Sequence, residues 1–348
     1  MKIYLAPMEG ITGYVYRNAL FSCFDHIDRY YTPFVVSTFT KKLKTRERTD
    51  VLPQNNAGIP LIPQILSNNA EEFLETARFM AKCGYKEVNL NLGCPVRTVT
   101  AKKKGSGFLA YPDELDAFLE KICRGAEDIS VQQADGDTAP LRISIKTRLG
   151  IQEPGEFKHL LEIFNRYPLA ELIIHARTQK ELYNGQPHLE LCQAIAENCR
   201  LPLCWNGNIR TLADYERILP LLKGYSAVMI GRGLIADPGL ARQIRTGIST
   251  SKEDLLHFHD VLYKGYQAQY MNFRGDRPGE TVLVNRMKEV WNHMGTMLRD
   301  EGRYMKNIHK ARNKVEYEAA VRMLFANCPL TGTYDGLRPD THAADLNA

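Results

Sequence analysis

Eight short apolar runs, each closed by polar residues and most separated from the next by an amphipathic stretch, govern what this chain can fold into. The runs are Ile3–Ala6, Tyr31–Val36, Leu61–Ile65, Glu87–Leu90, Arg142–Lys146, Leu172–His175, Leu203–Asn206 and Ala227–Gly231. Between them lie stretches of helical period such as Ala70–Cys83, Pro112–Cys123, Gly155–Tyr167, His188–Cys199 and Leu212–Leu222. Strands that alternate with helices build a parallel sheet, because each crossover returns the chain to the end at which the previous strand began. Eight such units in about 245 residues match the usual size of a (β/α)8 barrel. An open doubly wound sheet would carry a glycine fingerprint after its first strand, and the turn here is Ala6-Pro7-Met8-Glu9-Gly10. The expectation is an α/β fold: a closed (β/α)8 TIM barrel.

After Gly247 the alternation stops. Ser251–Tyr270, Thr281–Leu298 and Lys314–Phe325 have helical period and almost no strand signal, with Asn272–Gly279 as the loop between the first two. The expected organisation is a barrel over 1–247, a small all-helical domain over 248–330 and a flexible tail over 331–348. At 44% hydrophobic and 24% charged residues the chain has enough apolar material for a large core. It contains no apolar run of membrane-spanning length, and its N-terminus reads as a strand rather than a signal peptide. The eight cysteines lack CxxC spacing, which argues against a zinc site and for reduced thiols, so a cytoplasmic location and no metal are expected. With a net charge of only +5, any nucleic-acid surface must be local.

Barrel enzymes carry their active sites at the carboxyl ends of the strands. There the sequence places Pro7-Met8-Glu9 after strand one, Gln64 on strand three, and Asn91-Leu92-Gly93-Cys94-Pro95 after strand four. Lys146-Thr147-Arg148 ends strand five, His175-Ala176-Arg177 strand six, Asn206-Gly207-Asn208 strand seven and Gly231-Arg232-Gly233 strand eight. Any one of these has a bland alternative: a capped glutamine, a solvated lysine, a half-buried cysteine. Their gathering on one rim points to a site. The glycine-rich turns after strands seven and eight expose backbone N–H groups and, with Arg232, suit a phosphate. Together with Lys146 and Gln64 they fit flavin mononucleotide, its ring lying across the mouth against Pro7-Met8 and its charge balanced by Lys146.

APMEGIT, the glutamine of PQIL, NLNLGCP, Lys102-Lys103-Lys104-Gly105-Ser106-Gly107, IKTRLG, IIHART, WNGNI and AVMIGRG follow one another in the order of the tRNA-dihydrouridine synthases. The chain resembles that family along nearly its whole length, with Glu9 and Arg286-Met287-Lys288 similar to the bacterial C-type subgroup. Two positions depart from the usual pattern: Ala176 stands where glycine is common, and Asn208 where an acid is common. The resemblance implies a barrel with a helical domain, FMN as cofactor, NADPH or NADH as reductant, and tRNA as partner, with no membrane and no obligate protein partner. It places the flavin contacts on Pro7, Met8, Glu9, Gln64, Lys146, His175, Asn206, Gly207, Asn208, Gly231 and Arg232, and the general acid on Cys94. Asn91, Lys146, Arg148, His175, Arg177 and Tyr183 are left to hold the base and its neighbouring phosphates.

The chemistry agrees with a thiol acid. Saturating the C5=C6 bond of uracil takes a hydride at C6 and a proton at C5, and a neutral thiol can donate at neutral pH. A base inside folded tRNA must be turned out of its stack, and the rest of the RNA held by shape and phosphates. Candidate phosphate contacts are the Lys41–Arg48 run, Arg97, Lys102, Lys103 and Lys104, and Arg286 and Lys288. From Arg286 to Lys314 there are eight basic residues against three acids. The rival readings are a dihydroorotate-dehydrogenase-like barrel acting on a free pyrimidine, which would need neither helical domain nor basic loops, and a non-catalytic RNA-binding relative.

Overall fold

The computed structural model describes residues 1–37, 43–134, 136–271, 279–300 and 303–331. Its strands are β1 (Lys2–Leu5), β2 (Arg29–Tyr31), β3 (Val35–Val36), β4 (Leu61–Ile62), β5 (Gln64–Leu66), β6 (Glu87–Leu92), β7 (Ser130–Gln132), β8 (Thr138–Pro140), β9 (Arg142–Arg148), β10 (Leu172–His175), β11 (Leu203–Asn206) and β12 (Tyr225–Ile230). β7 and β8 form a small antiparallel hairpin absent from the expectation; all the others are parallel.

The parallel strands close on themselves. β1 pairs with β12 on one side and β2 on the other; β2 pairs with β4, β3 with β5, and β5 with β6. The ring continues through β9, β10 and β11 back to β12. β2 and β3 are one stave interrupted around Pro33, and β4 and β5 another interrupted at Pro63, since proline donates no ladder hydrogen bond. Bonds from Thr32 N to Ile62 O (3.2 Å) and from Gln64 N to Thr32 Oγ1 (2.9 Å) span the interruptions. The expected eight-stave barrel is therefore present, with staves two and three each broken once.

Two apolar layers hold it. Inside, Tyr4, Tyr31, Ile62, Ile173, Cys204, Ala227 and Met229 fill the barrel, and a second, larger cluster lies between strands and outer helices. The helix Ala70–Lys82 shows how the pattern works: Asn69 caps Glu72 N–H at 3.0 Å, and Phe73, Ala77 and Met80 bury one face. At the amino-terminal end, Glu171 accepts from Tyr4 Oη (2.9 Å) and Tyr31 Oη (3.3 Å), with Arg29 3.5 Å away. That end is filled by side chains, and the carboxyl end is left for chemistry.

The helices Lys252–Tyr270, Gly279–Met294, Tyr304–Lys310 and Lys314–Asn327 follow the barrel. The short third helix was not anticipated. Tyr317 Oη bonds both Trp291 Nε1 and His259 Nε2 at 2.8 Å in the middle of this group. Phe258 packs edge-on to Tyr16 of the first barrel helix, 5.7 Å between centroids. Among the described residues no helix is long and apolar enough to cross a membrane. Of the expected loop Asn272–Gly279, 272–278 lie outside the described residues and Gly279 opens a helix; Lys41 and Lys42 of the basic run and the tail from 332 also lie outside the described residues.

Candidate active site

A cavity of about 260 Å³ opens at the carboxyl rim. Every residue expected to touch the cofactor lines it: Pro7, Met8, Glu9, Gln64, Lys146, His175, Asn206, Gly207, Asn208, Gly231 and Arg232. Cys94, Asn91, Arg148 and Tyr183 line it too. Parallel register explains the gathering, because equivalent strand ends reach the same height around the ring.

The floor is apolar and depends on glycine. A Cβ at Gly231 would lie 3.3 Å from Met8 Sδ and 3.4 Å from Ala6 Cβ, narrowing the space between turns one and eight. A Cβ at Gly233 would lie 2.3 Å from the Ile209 carbonyl oxygen, so the turns after β11 and β12 can approach this closely only with glycine there. Asn208 takes φ +37, a left-handed conformation that asparagine tolerates. Its Oδ1 accepts from Arg232 Nη2 at 3.3 Å, so amide in place of acid keeps the acceptor. Arg210 also lines this end and was missed, since the motif as quoted stops at Ile209.

The cavity is electropositive. Lys146, Arg148, Arg210 and Arg232 line it against one carboxylate, Glu9, which pairs with Arg46 at 2.5 Å. Burial, reinforced by Arg148, pushes Lys146 down to about 8. Burial and the surrounding Arg148, Lys146, Arg177 and Arg232 hold His175 well below the ordinary imidazole range. His175 is therefore neutral; its Nε2 faces Arg177 Nη1 at 3.1 Å and accepts, which leaves the proton on Nδ1. Burial likewise raises the Cys94 thiol, outweighing Arg148 and Lys146, so the thiol keeps its proton at neutral pH.

Cys94 stands on a fixed loop. Asn91 Oδ1 accepts from Gly93 N–H (3.1 Å) and Cys94 N–H (2.9 Å), and the Cys94 carbonyl accepts from Ser106 N (3.0 Å) and Oγ (2.9 Å). Gly105, at φ +58, makes this approach possible; a Cβ there would lie 2.7 Å from the Cys94 oxygen. Arg148 Nε donates to Gly93 O at 2.8 Å, and its Nη1 donates to Thr178 O (2.9 Å) and Leu182 O (2.7 Å). The half-exposed Tyr183 is carried on that segment, its ring 5.4 Å from the Arg148 guanidinium and 5.3 Å from that of Arg232.

Four of the expected RNA contacts have partners within the protein. Arg177 is fully buried and outside the cavity lining; it donates to Asn184 O (3.0 Å) and Gly185 O (2.7 Å) besides His175, so it braces the segment after β10. Lys288 is turned into the helical group, where its ammonium bonds the Ala311 carbonyl. Arg286 donates to Gly10 O (3.0 Å) and pairs with Glu289 (2.7 Å), tying the helices to the first rim turn. Lys103 is engaged with Glu114 at 2.9 Å and lies over the Tyr111 ring. Lys102 is exposed. In each of these four cases the charge is visible in the sequence and its partner within the protein is not.

Fold and rim together define a (β/α)8 barrel protein with a protonated cysteine on a fixed loop above a cavity suited to an anion. The dihydrouridine synthase family model matches residues 4–324. A probable tRNA-dihydrouridine synthase of Staphylococcus aureus is 34% identical over 275 residues, covering 76% of this chain and 77% of that one. A tRNA-dihydrouridine(16) synthase of Cupriavidus necator is 28% identical over 257 residues, 73% and 76% of the two chains. The chain belongs to the dihydrouridine synthase family. Among solved structures, morphinone reductase superposes at TM-score 0.49 with 12% identity, over 71% of this chain and 86% of that one.

Proposed function

We propose that this protein reduces the C5=C6 bond of uridines in the D-loop of tRNA to 5,6-dihydrouridine, with FMN in the rim cavity and NADPH as reductant. The observation that carries the reading is the Cys94 thiol, kept protonated and held on the rim by Asn91, beside an electropositive cavity with an apolar floor. The residues fit FMN: Gly231 and Gly233 keep the floor open, backbone at Gly207-Asn208 and Gly231-Arg232 with Arg210 and Arg232 meets a phosphate, and Lys146 meets negative charge on the ring.

FMN, when bound, would supply the hydride for C6, drawn in turn from NADPH. Cys94 Sγ supplies the proton for C5 from the opposite face, so one hydride and one proton saturate the double bond. His175, neutral and with its proton on Nδ1, offers a donor without adding charge. Asn91, Arg148 and Tyr183 frame the place where an extruded base would lie. We assign residues 1–247 to catalysis and 248–330 to gripping RNA, in a cytoplasmic enzyme.

Purified protein should be yellow and release FMN on denaturation, and it should form dihydrouridine in unmodified tRNA when given NADPH. Mass spectrometry of the tRNA digest would locate the product. A protein that binds no FMN and leaves tRNA unchanged would overturn the reading.

A further inference from the structure

The Gly93–Cys94 turn hangs from one side-chain oxygen. Asn91 Oδ1 accepts both backbone N–H groups, so Asn91 Nδ2 must face the other way, and it donates to Gln64 Oε1 at 2.7 Å. That orientation turns Gln64 Nε2 toward Asn89 Oδ1, 2.8 Å away, and leaves Asn89 Nδ2 to donate to Ser144 Oγ at 3.0 Å. Each amide dictates the orientation of the next. Gln64, Asn89 and Ser144 are fully buried, so no solvent competes for these bonds. Strand register puts Gln64 beside Asn89 and Asn89 beside Ser144, two residues below Asn91 and Lys146. Barrel interiors are usually filled by branched apolar side chains at less cost than buried amides. A fully partnered polar chain here has a direction, from the barrel interior to the cysteine turn.

We propose that Asn89, which does not line the rim cavity, is a positioning residue for Cys94: through Gln64 and Asn91 its carboxamide fixes the Gly93–Cys94 turn and thereby the direction of the thiol. The proposal rests on the reading of Cys94 as the proton donor. Asn89→Ala removes the acceptor that orients Gln64, which frees Asn91 to turn and the cysteine turn to relax. Asn89→Asp keeps that acceptor, and Ser144 can rotate its hydroxyl to donate to it.

The test uses the full-length protein with FMN bound. Alkylation of Cys94 by iodoacetamide is followed by peptide mass spectrometry across pH, with half-buried Cys83 as internal reference. Flavin reduction by NADPH and single-turnover dihydrouridine formation are measured on the same samples. In Asn89→Ala the Cys94 alkylation profile should shift and dihydrouridine formation fall on the order of 10- to 10²-fold, the scale of a misplaced reacting group. Cys83 alkylation should stay at the wild-type rate, flavin reduction should fall far less than dihydrouridine formation because Gln64 only loosens at the cavity, and Asn89→Asp should restore both altered readouts. Ser144→Ala, the milder cut at the far end, should move them less in the same direction, and it serves if Asn89→Ala does not fold. An unchanged Cys94 profile in the folded alanine variants overturns the proposal. So does a loss shared equally by flavin reduction and not rescued by aspartate, which marks a packing role. If Cys94→Ala retained tRNA reduction, the proton-donor reading alone would fall, because the alkylation profile reports thiol orientation independently of it.

Discussion

A thiol serves as an acid only while it keeps its proton, and burial does that for Cys94. Cys94→Ala should leave FMN binding and its reduction by NADPH intact while lowering dihydrouridine formation on the order of 10²- to 10⁴-fold. Stopped-flow reduction of the flavin and single-turnover analysis of tRNA separate the two half-reactions. Lys146 carries the opposite lesson. It is a buried cation with no carboxylate partner among the described residues, and its pKa falls from 10.5 to about 8. Between those values the unfolded chain holds a proton that the folded chain has released, so stability rises with pH across that window and the penalty is present in full below it. In ligand-free protein, Lys146→Met should therefore melt higher than wild type at pH 7, by several °C, with the advantage shrinking toward pH 10. Calorimetry at the two pH values checks the sign, and FMN affinity should fall in the same variant. A negative ligand is what makes a lysine worth burying there.

The rim turns rest on glycines whose missing Cβ is a spatial requirement. Gly233→Ala would push a methyl to 2.3 Å from the Ile209 carbonyl and force the turns after β11 and β12 apart. The expected result is a loss of about 1–3 kcal/mol in stability and weaker FMN binding, read by denaturant titration and by flavin fluorescence. Most elements were legible, because β10 and the Ala227–Ile230 end of β12 are continuous buried apolar runs, β6 and β9 alternate apolar and polar residues, and the helices between them give a clean period. Pro33 and Pro63 were in plain view inside two of those runs, yet staves two and three read as continuous; the interruption is a matter of ladder bonds that hydrophobicity does not encode. Tyr304–Lys310 is too short for a period to show. The cavity lining was legible because strand ends share a height. The partners of Arg177 and Lys288 were not legible, because a guanidinium or ammonium spends its donors on whichever carbonyls the chain brings near, and local sequence does not name them.

Across the whole molecule, the helical group meets the barrel at the catalytic rim: Arg286 bonds Gly10 O, and Tyr266 Oη bonds Ile11 O at 3.4 Å. An RNA held by those helices would lie close to the cavity. An exposed lysine and one bonded to a backbone carbonyl should then separate in binding. Lys102→Ala should weaken tRNA affinity and reduce the slope of log K against log salt by about one. Lys288→Ala should leave the slope unchanged and lower the melting temperature instead. Filter binding over a salt series with parallel melting curves distinguishes the two.

Two arginines grip the segment after β10 by its carbonyls, and the cysteine turn is fastened from below, behind and beside. A mouth anchored at so many points would resist moulding itself to a guest. On the proposed reading the adjustment would fall to the nucleic acid, at the cost of unstacking and unpairing the target nucleotide. Transcripts whose elbow has been loosened, by sequence or by missing modifications, should be turned over faster than rigid mature tRNA, which would set this enzyme early in the life of its substrate.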